Sequence, residues 1–204
     1  PVAKAFFTDR GLECAVIAQQ VFGGHGFVRE WGVEQIVRDV RIGQIYEGTN
    51  GIQAADLIGR KVVRDGGDTL ELLLERLGPE QLPERYKAAV SDAFERLRAA
   101  TRHVLERAGD DPDLPGAVAT DYLDLVGYTL YAWFWAEMAG VAQGGDLETS
   151  KQHSADFYFA RVLPRTVGLP LGSVRLAVTA CRWLKTVSDR LKPASAPVRA
   201  RGIG

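Results

Sequence analysis

An all-α fold is predicted for this chain by three features of its sequence. Period-two alternation bounded by turn residues, the mark of strands, is hard to find anywhere in the 204 residues. Between 83 and 108, Tyr86, Val90, Phe94, Leu97, Thr101, Val104 and Leu105 recur at helical steps on an otherwise charged segment. That is one apolar stripe on a helix packed against neighbours. From Leu125 to Ala142 only Glu137 is charged, as expected of a helix at the centre of a helical bundle.

Taken in order, residues 2–22 read as a first helix that the Gly23-Gly24-His25-Gly26 cluster stops. A loop through Trp31-Gly32 leads to a short helix at 33–42. The turn Tyr46 to Gly51 precedes a helix at about 51–64, with Thr49 or Asn50 as its cap. Asp65-Gly66-Gly67-Asp68 breaks the chain most clearly, because paired glycines bend cheaply. Helices are expected next near 69–77, 83–108, 117–142, 147–166 and 172–190. Pro112 with Pro115, Gly144-Gly145 and Gly168-Pro170 mark connections, and Pro164 ends or kinks its helix. The division predicted is a helical unit at 1–65, a linker at 66–68, an antiparallel four-helix bundle with its lead-in helix at 69–191, and a disordered tail at 192–204.

The 25 basic and 26 acidic side chains leave a net charge of -1, so bulk electrostatics draw the protein to neither nucleic acid nor an acidic membrane. Cys14 and Cys181 lie far apart without a C-x-x-C partner and read as buried, reduced thiols of a cytoplasmic protein. His25, His103 and His153 lack ligand spacing, and no metal site is expected. Leu125–Ala142 is long enough to be weighed as a membrane span, but Glu137 inside it and the lack of flanking basic residues favour a buried helix. Pro1 to Phe7 has neither an initiator Met nor a signal-peptide layout, so the chain is expected to be part of a longer one.

Chemistry concentrates at 20–53. Gln20-Val-Phe-Gly-Gly-His-Gly-Phe27 is followed by Arg38-Asp39 and then by Gln44-Ile-Tyr-Glu-Gly-Thr-Asn-Gly-Ile-Gln53. Bare glycine backbone after a helix suits close approach to a phosphate-bearing ligand, though the same glycines also serve as a cap and turn. A loop glutamate is usually a solvated surface group. The three ordered motifs resemble the carboxy-terminal domain of acyl-CoA dehydrogenases. More weakly, Lys151 to Phe159 and Leu163-Pro164 resemble the helical domain appended in larger bacterial members.

That resemblance implies an FAD-dependent α,β-dehydrogenation of an acyl-CoA thioester to the trans-2-enoyl product. It makes Glu47 the base that removes the α-proton, a task for a carboxylate whose pKa a dry pocket raises. It makes Gly48 a substrate contact. It implies that Gln20, Val21, Phe22, Gly23 and Gly24 meet the adenine-diphosphate half of FAD, reached from a partner subunit, and that Thr49, Asn50, Gly51 and Ile52 meet the flavin cofactor. The thioester oxygen is expected to be held by the Glu47 N–H and a flavin ribityl hydroxyl. Arg38 and Asp39 are expected to hold the catalytic loop, or else to be a surface ion pair. Tyr46 is read as packing and His25 as non-catalytic.

Where many short- and medium-chain members continue after I-Y-E-G-T with Ser and a polar residue, this chain has Asn50-Gly51-Ile52-Gln53. Together with Gly59-Arg60-Lys61 this points to the larger bacterial branch, whose substrates include long-chain and methylthio-propanoyl thioesters. The implied partners are acyl-CoA, an electron-transfer flavoprotein and further copies of the chain in a homodimer or homotetramer. The chain alone is expected to be inactive. An acyl-CoA oxidase of the same fold, a nucleic-acid-binding relative and a non-catalytic helical dimerisation module stand as alternatives. The neutral charge and intact Glu47 argue against the nucleic-acid reading.

Overall fold

A computed structural model describes residues 1–142 and 144–169, and every element among them is helical. The helices are α1 (Val2–Val21), α2 (Gly24–Phe27), α3 (Val33–Arg41), α4 (Asn50–Ala55), α5 (Asp68–Leu77), α6 (Glu84–Arg107), α7 (Leu114–Val141) and α8 (Gly145–Phe157). Single 3-10 turns at Arg29–Trp31 and Ile42–Gln44 flank α3. The expected helix at 172–190, the fourth of the bundle, and the tail at 192–204 lie outside the described residues.

The predicted stripe of α6 is the buried face of that helix. Tyr86, Val90, Phe94, Leu97, Thr101 and Val104 are all buried, and Leu105 is packed at the edge of the core. α7 is the centre of the fold. It contacts α1, α4, α6 and α8, which is why it is apolar on all sides. No helix among the described residues is long and apolar enough to cross a membrane.

Two polar contacts tie these helices together. Tyr122 Oη pairs with Thr101 Oγ1 at 2.7 Å, and burial pushes the Tyr122 phenol up to about 12. Trp133 Nε1 donates to the Leu77 carbonyl at 2.5 Å, closing the end of α5 onto α7.

Phe6 is the largest side chain that α1 buries in this core. The Phe6 ring is fully buried over Gly127, where a methyl would overlap it. Tyr128 and Tyr131 meet the ring edge-on at 4.9 and 5.1 Å. Ala5, Ala54, Ile58 and Val62 complete a buried cluster continuous with α6 and α7.

Several local expectations change. α4 does not run to residue 64 as one α-helix but widens into a π-helix at Asp56–Val63, with Arg64 N donating to Gly59 O at 3.1 Å. Such segments are rare, and no sequence pattern announces them. α8 ends in a π turn at Tyr158–Val162, and Pro164 sits in the first turn of a 3-10 segment, Leu163–Gly168, closing the helix where expected. Pro115 lies inside the first turn of α7, where its missing N–H costs nothing, and not in the connection. Cys14 is exposed rather than buried; Cys181 lies outside the described residues.

Candidate active site

The loop from Tyr46 to Thr49 connects the 3-10 turn at Ile42–Gln44 to α4. Glu47 has φ +56°, the only positive φ at a non-glycine among the described residues, and Gly48 follows at +82°. Left-handed backbone costs an L-residue roughly 1–2 kcal/mol, so the surroundings must hold it there. They do so from both sides. Gln53 Nε2 donates to the Glu47 carbonyl at 3.0 Å, and Lys4 Nζ donates to the Gly48 carbonyl at 2.8 Å. Thr49 is the cap of α4, its Oγ1 accepting from Ile52 N.

Asn50, the other candidate cap, faces α1 instead. Its Oδ1 accepts from Lys4 Nζ at 2.7 Å. Its Nδ2 reaches Asp9 Oδ1 at 2.6 Å, Thr8 Oγ1 at 2.9 Å and the Ala5 carbonyl at 3.2 Å. Gln44 Nε2 also donates to Asp9 Oδ1, at 2.5 Å. The loop is thus tied at both its ends to the first two turns of α1, one helix face supplying Lys4, Thr8 and Asp9. Between those ties the Glu47 side chain is exposed, as are Gly48, Gly51 and Ile52.

Arg38 and Asp39 do not touch the loop. Arg38 lies 3.9 Å from Glu34, and Asp39 accepts from Gln35 at 2.6 Å, both one turn away on α3. The expectation that they hold the loop gives way to Lys4, Thr8, Asp9 and Gln53, which sequence reasoning missed. A hint was available for two of them, since Lys4 and Thr8 are one turn apart on a helix that could face the motif. Tyr46 is 52 % exposed and packs little within this chain. His25 meets Trp31 edge-on at 4.9 Å.

The glycine motif sits at the opposite end of α1. From Thr8 to Gly23 the helix runs about 22 Å at 1.5 Å per residue, so Gln20–Gly24 and Glu47 do not converge on one pocket of this chain. Gly23 has φ +59° and ψ -139°, a backbone reserved for glycine. Gly26 lets α2 close on α1, because a Cβ there would strike the Gln19 carbonyl, and Gln19 Nε2 donates to the Gly26 carbonyl at 3.1 Å. Gly24 has neither reason. It is exposed, and a Cβ on it would meet nothing of this chain. Gln20, Val21 and Phe22 beside it are exposed too, Val21 at 80 %.

This end of the molecule therefore offers bare backbone and apolar side chains outward, which fits a dinucleotide carrying both phosphates and rings. No group of three or more His, Cys, Asp or Glu among the described residues is placed to hold a metal.

Residues 1–62 match the family described as acyl-CoA dehydrogenase, C-terminal domain, and residues 68–170 match acetyl-CoA dehydrogenase C-terminal like. The 3-methylmercaptopropionyl-CoA dehydrogenase of Ruegeria pomeroyi is 37 % identical over 178 residues, which are 80 % of this chain and 30 % of that protein. The broad-specificity linear acyl-CoA dehydrogenase FadE5 of Mycobacterium tuberculosis is 40 % identical over 70 residues, 34 % of this chain and 12 % of the relative. A butyryl-CoA dehydrogenase of Syntrophomonas wolfei is 36 % identical over 78 residues, 38 % of this chain and 13 % of the relative. The chain thus spans less than a third of the length of these relatives.

Proposed function

The chain belongs to the acyl-CoA dehydrogenase family, and from that membership we propose that it is the carboxy-terminal helical part of an enzyme that oxidises an acyl-CoA thioester to the trans-2-enoyl-CoA, with Glu47 as catalytic base. The observation that carries the reading is the Glu47 loop. A carboxylate on left-handed backbone is tied down on both sides and left exposed, ready for a further surface to cover. Covering would dry the carboxylate and suit it to take a proton near neutral pH.

In this reading Glu47 removes the α-proton while the β-carbon loses a hydride, so the substrate leaves with one more C–C double bond. Bound FAD supplies the acceptor for that hydride. The Glu47 N–H, aimed by the same backbone, donates to the thioester oxygen as negative charge grows there. Gly48 leaves room for the thioester beside the loop, and the exposed Gly51 and Ile52 edge faces the cofactor together with Thr49. Gln20 to Gly24, at the far end of α1, meet the adenine-diphosphate half of a dinucleotide, in a subunit arrangement where α1 spans two flavin neighbourhoods. A homodimer or homotetramer and an electron-transfer flavoprotein as electron acceptor follow from the same reading.

The 37 % identity to a 3-methylmercaptopropionyl-CoA dehydrogenase makes that thioester the first substrate to try. In the complete enzyme, Glu47→Gln is expected to lower kcat by about 100- to 10,000-fold at unchanged flavin content, on 3-methylmercaptopropionyl-CoA and on a series of straight-chain acyl-CoAs. Full turnover by the variant would remove Glu47 from the mechanism. The 204-residue chain on its own is expected to be colourless, and stoichiometric flavin in a purified sample would count against the division of the site described above.

A further inference from the structure

We propose that Lys4 is a positioning residue for the dehydrogenation, setting the backbone of Glu47 from the first turn of α1. The proposal rests on the reading of Glu47 as the base.

Two of the three ammonium donors of Lys4 are engaged on the loop, at 2.8 Å on the Gly48 carbonyl and 2.7 Å on Asn50 Oδ1. The Gly48 carbonyl belongs to the residue immediately after the strained one, so the contact restrains the φ/ψ pair that a free chain would relax. Asn50 in turn is fixed on Thr8 and Asp9. The Lys4 side chain thus bridges the left-handed step and the start of α4, while Gln53 braces the Glu47 carbonyl from the other side.

Two properties of Lys4 make this more than ordinary surface bonding. Its partners lie 44 and 46 residues away in sequence, and it is itself only partly exposed, held at the loop by the helix that carries Phe6 into the core. A charged donor on a carbonyl is also a stronger tether than a neutral one. The motif supplies the carboxylate, and α1 supplies a tether on the backbone that carries it.

The test has one arm on the chain and one on the complete enzyme. In the 204-residue chain, Lys4→Met is expected to speed hydrogen exchange at the Ile52 and Gln53 amides about tenfold or more, with the amides of α6 and α7 unchanged. Unaltered exchange at Ile52 and Gln53 would overturn the proposal whatever the enzyme does. In the complete enzyme, Lys4→Met is expected to lower kcat by about 10- to 100-fold, the scale for a displaced catalytic group, while KM and flavin content stay within about threefold. Lys4→Arg keeps a charged donor and is expected to recover most of kcat. A Lys4→Met enzyme with full kcat, or a Lys4→Arg enzyme as slow as Lys4→Met, would also overturn it. Glu47→Gln run alongside separates the two ideas. If that variant keeps full turnover, the assignment of the base falls and the catalytic role of Lys4 falls with it, even where loop exchange has risen.

Discussion

The α6–α7 packing and the 46–53 loop use their residues in opposite ways. On α6 and α7 most of the large apolar side chains face inward, Phe134 and Val141 excepted, and the polar Thr101 and Tyr122 bond each other. Around the motifs the large apolar side chains face outward. Val21, Phe22, Phe27, Trp31, Ile36, Ile45 and Ile52 are all exposed, and the hydrogen bonds gather on backbone carbonyls and one asparagine. The difference separates what the chain does for itself from what it holds ready for something else. A buried stripe is complete within the fold, whereas an anchored loop among exposed apolar groups is a surface waiting for a counterpart.

The largest effect that could break this contrast is on chemistry. Glu47→Gln should cost the complete enzyme the 100- to 10,000-fold given above, about 3–5 kcal/mol, while the unfolding midpoint of the chain does not move. A fall in thermal stability comparable to that of a core variant would blur the two regions. Phe6→Ala is its counterpart on the packed side, expected to destabilise the chain by about 3–5 kcal/mol in denaturant melts, since it empties the socket over Gly127. Gly127→Ala probes the same socket by overfilling it, at about 1–3 kcal/mol.

Smaller effects sharpen the comparison. Arg98 holds the Glu71 carboxyl below the usual carboxylate range through hydrogen bonds of 2.7 and 3.0 Å. That pair contributes stability above the unfolded value of 4.5, lost as pH falls through the lower folded value. Glu71 is 46 % exposed, so Glu71→Gln should cost under about 1 kcal/mol at neutral pH, with no cost left in strong acid. Asp124 has the opposite sign. Burial raises its carboxyl, only partly countered by Arg10 at 4.0 Å, so its ionised form opposes folding, and that opposition is relieved as pH falls through the raised value. Asp124→Asn should therefore raise the melting temperature slightly at neutral pH. The smallest effect is expected at Val21→Ser, within about 0.5 kcal/mol in the chain, because Val21 is already 80 % exposed.

What could be read in the sequence follows the same line. The α6 stripe was legible because a helix repeats its buried face at a fixed period, and the Glu47 loop because three motifs stand in order. The Phe6–Gly127 socket was not, since nothing local tells that a phenylalanine and a glycine about 120 positions apart will meet. The Lys4–Asn50 tether was hidden for the same reason: each residue alone is an ordinary surface group. The Arg38 and Asp39 partners could have been found, because Glu34 and Gln35 stand one turn before them at the favoured spacing. Asn50 had two readings by residue type, cap or contact. Only the approach of α1 decides that Thr49 caps and Asn50 bonds across.

The Phe6 socket also bears on the order in which the chain can acquire its shape. The Phe6 ring leaves the ribosome about 120 residues before Gly127, Tyr128 and Tyr131, the residues that enclose it. Residues 1–65, made before α7, would carry Phe6 and Ile58 without a lid and should stay unsettled until α7 arrives. These helices are therefore expected to collapse cooperatively only once α7 has emerged, and a nascent chain stalled before residue 127 should be far more sensitive to protease in residues 1–65 than one stalled after residue 145.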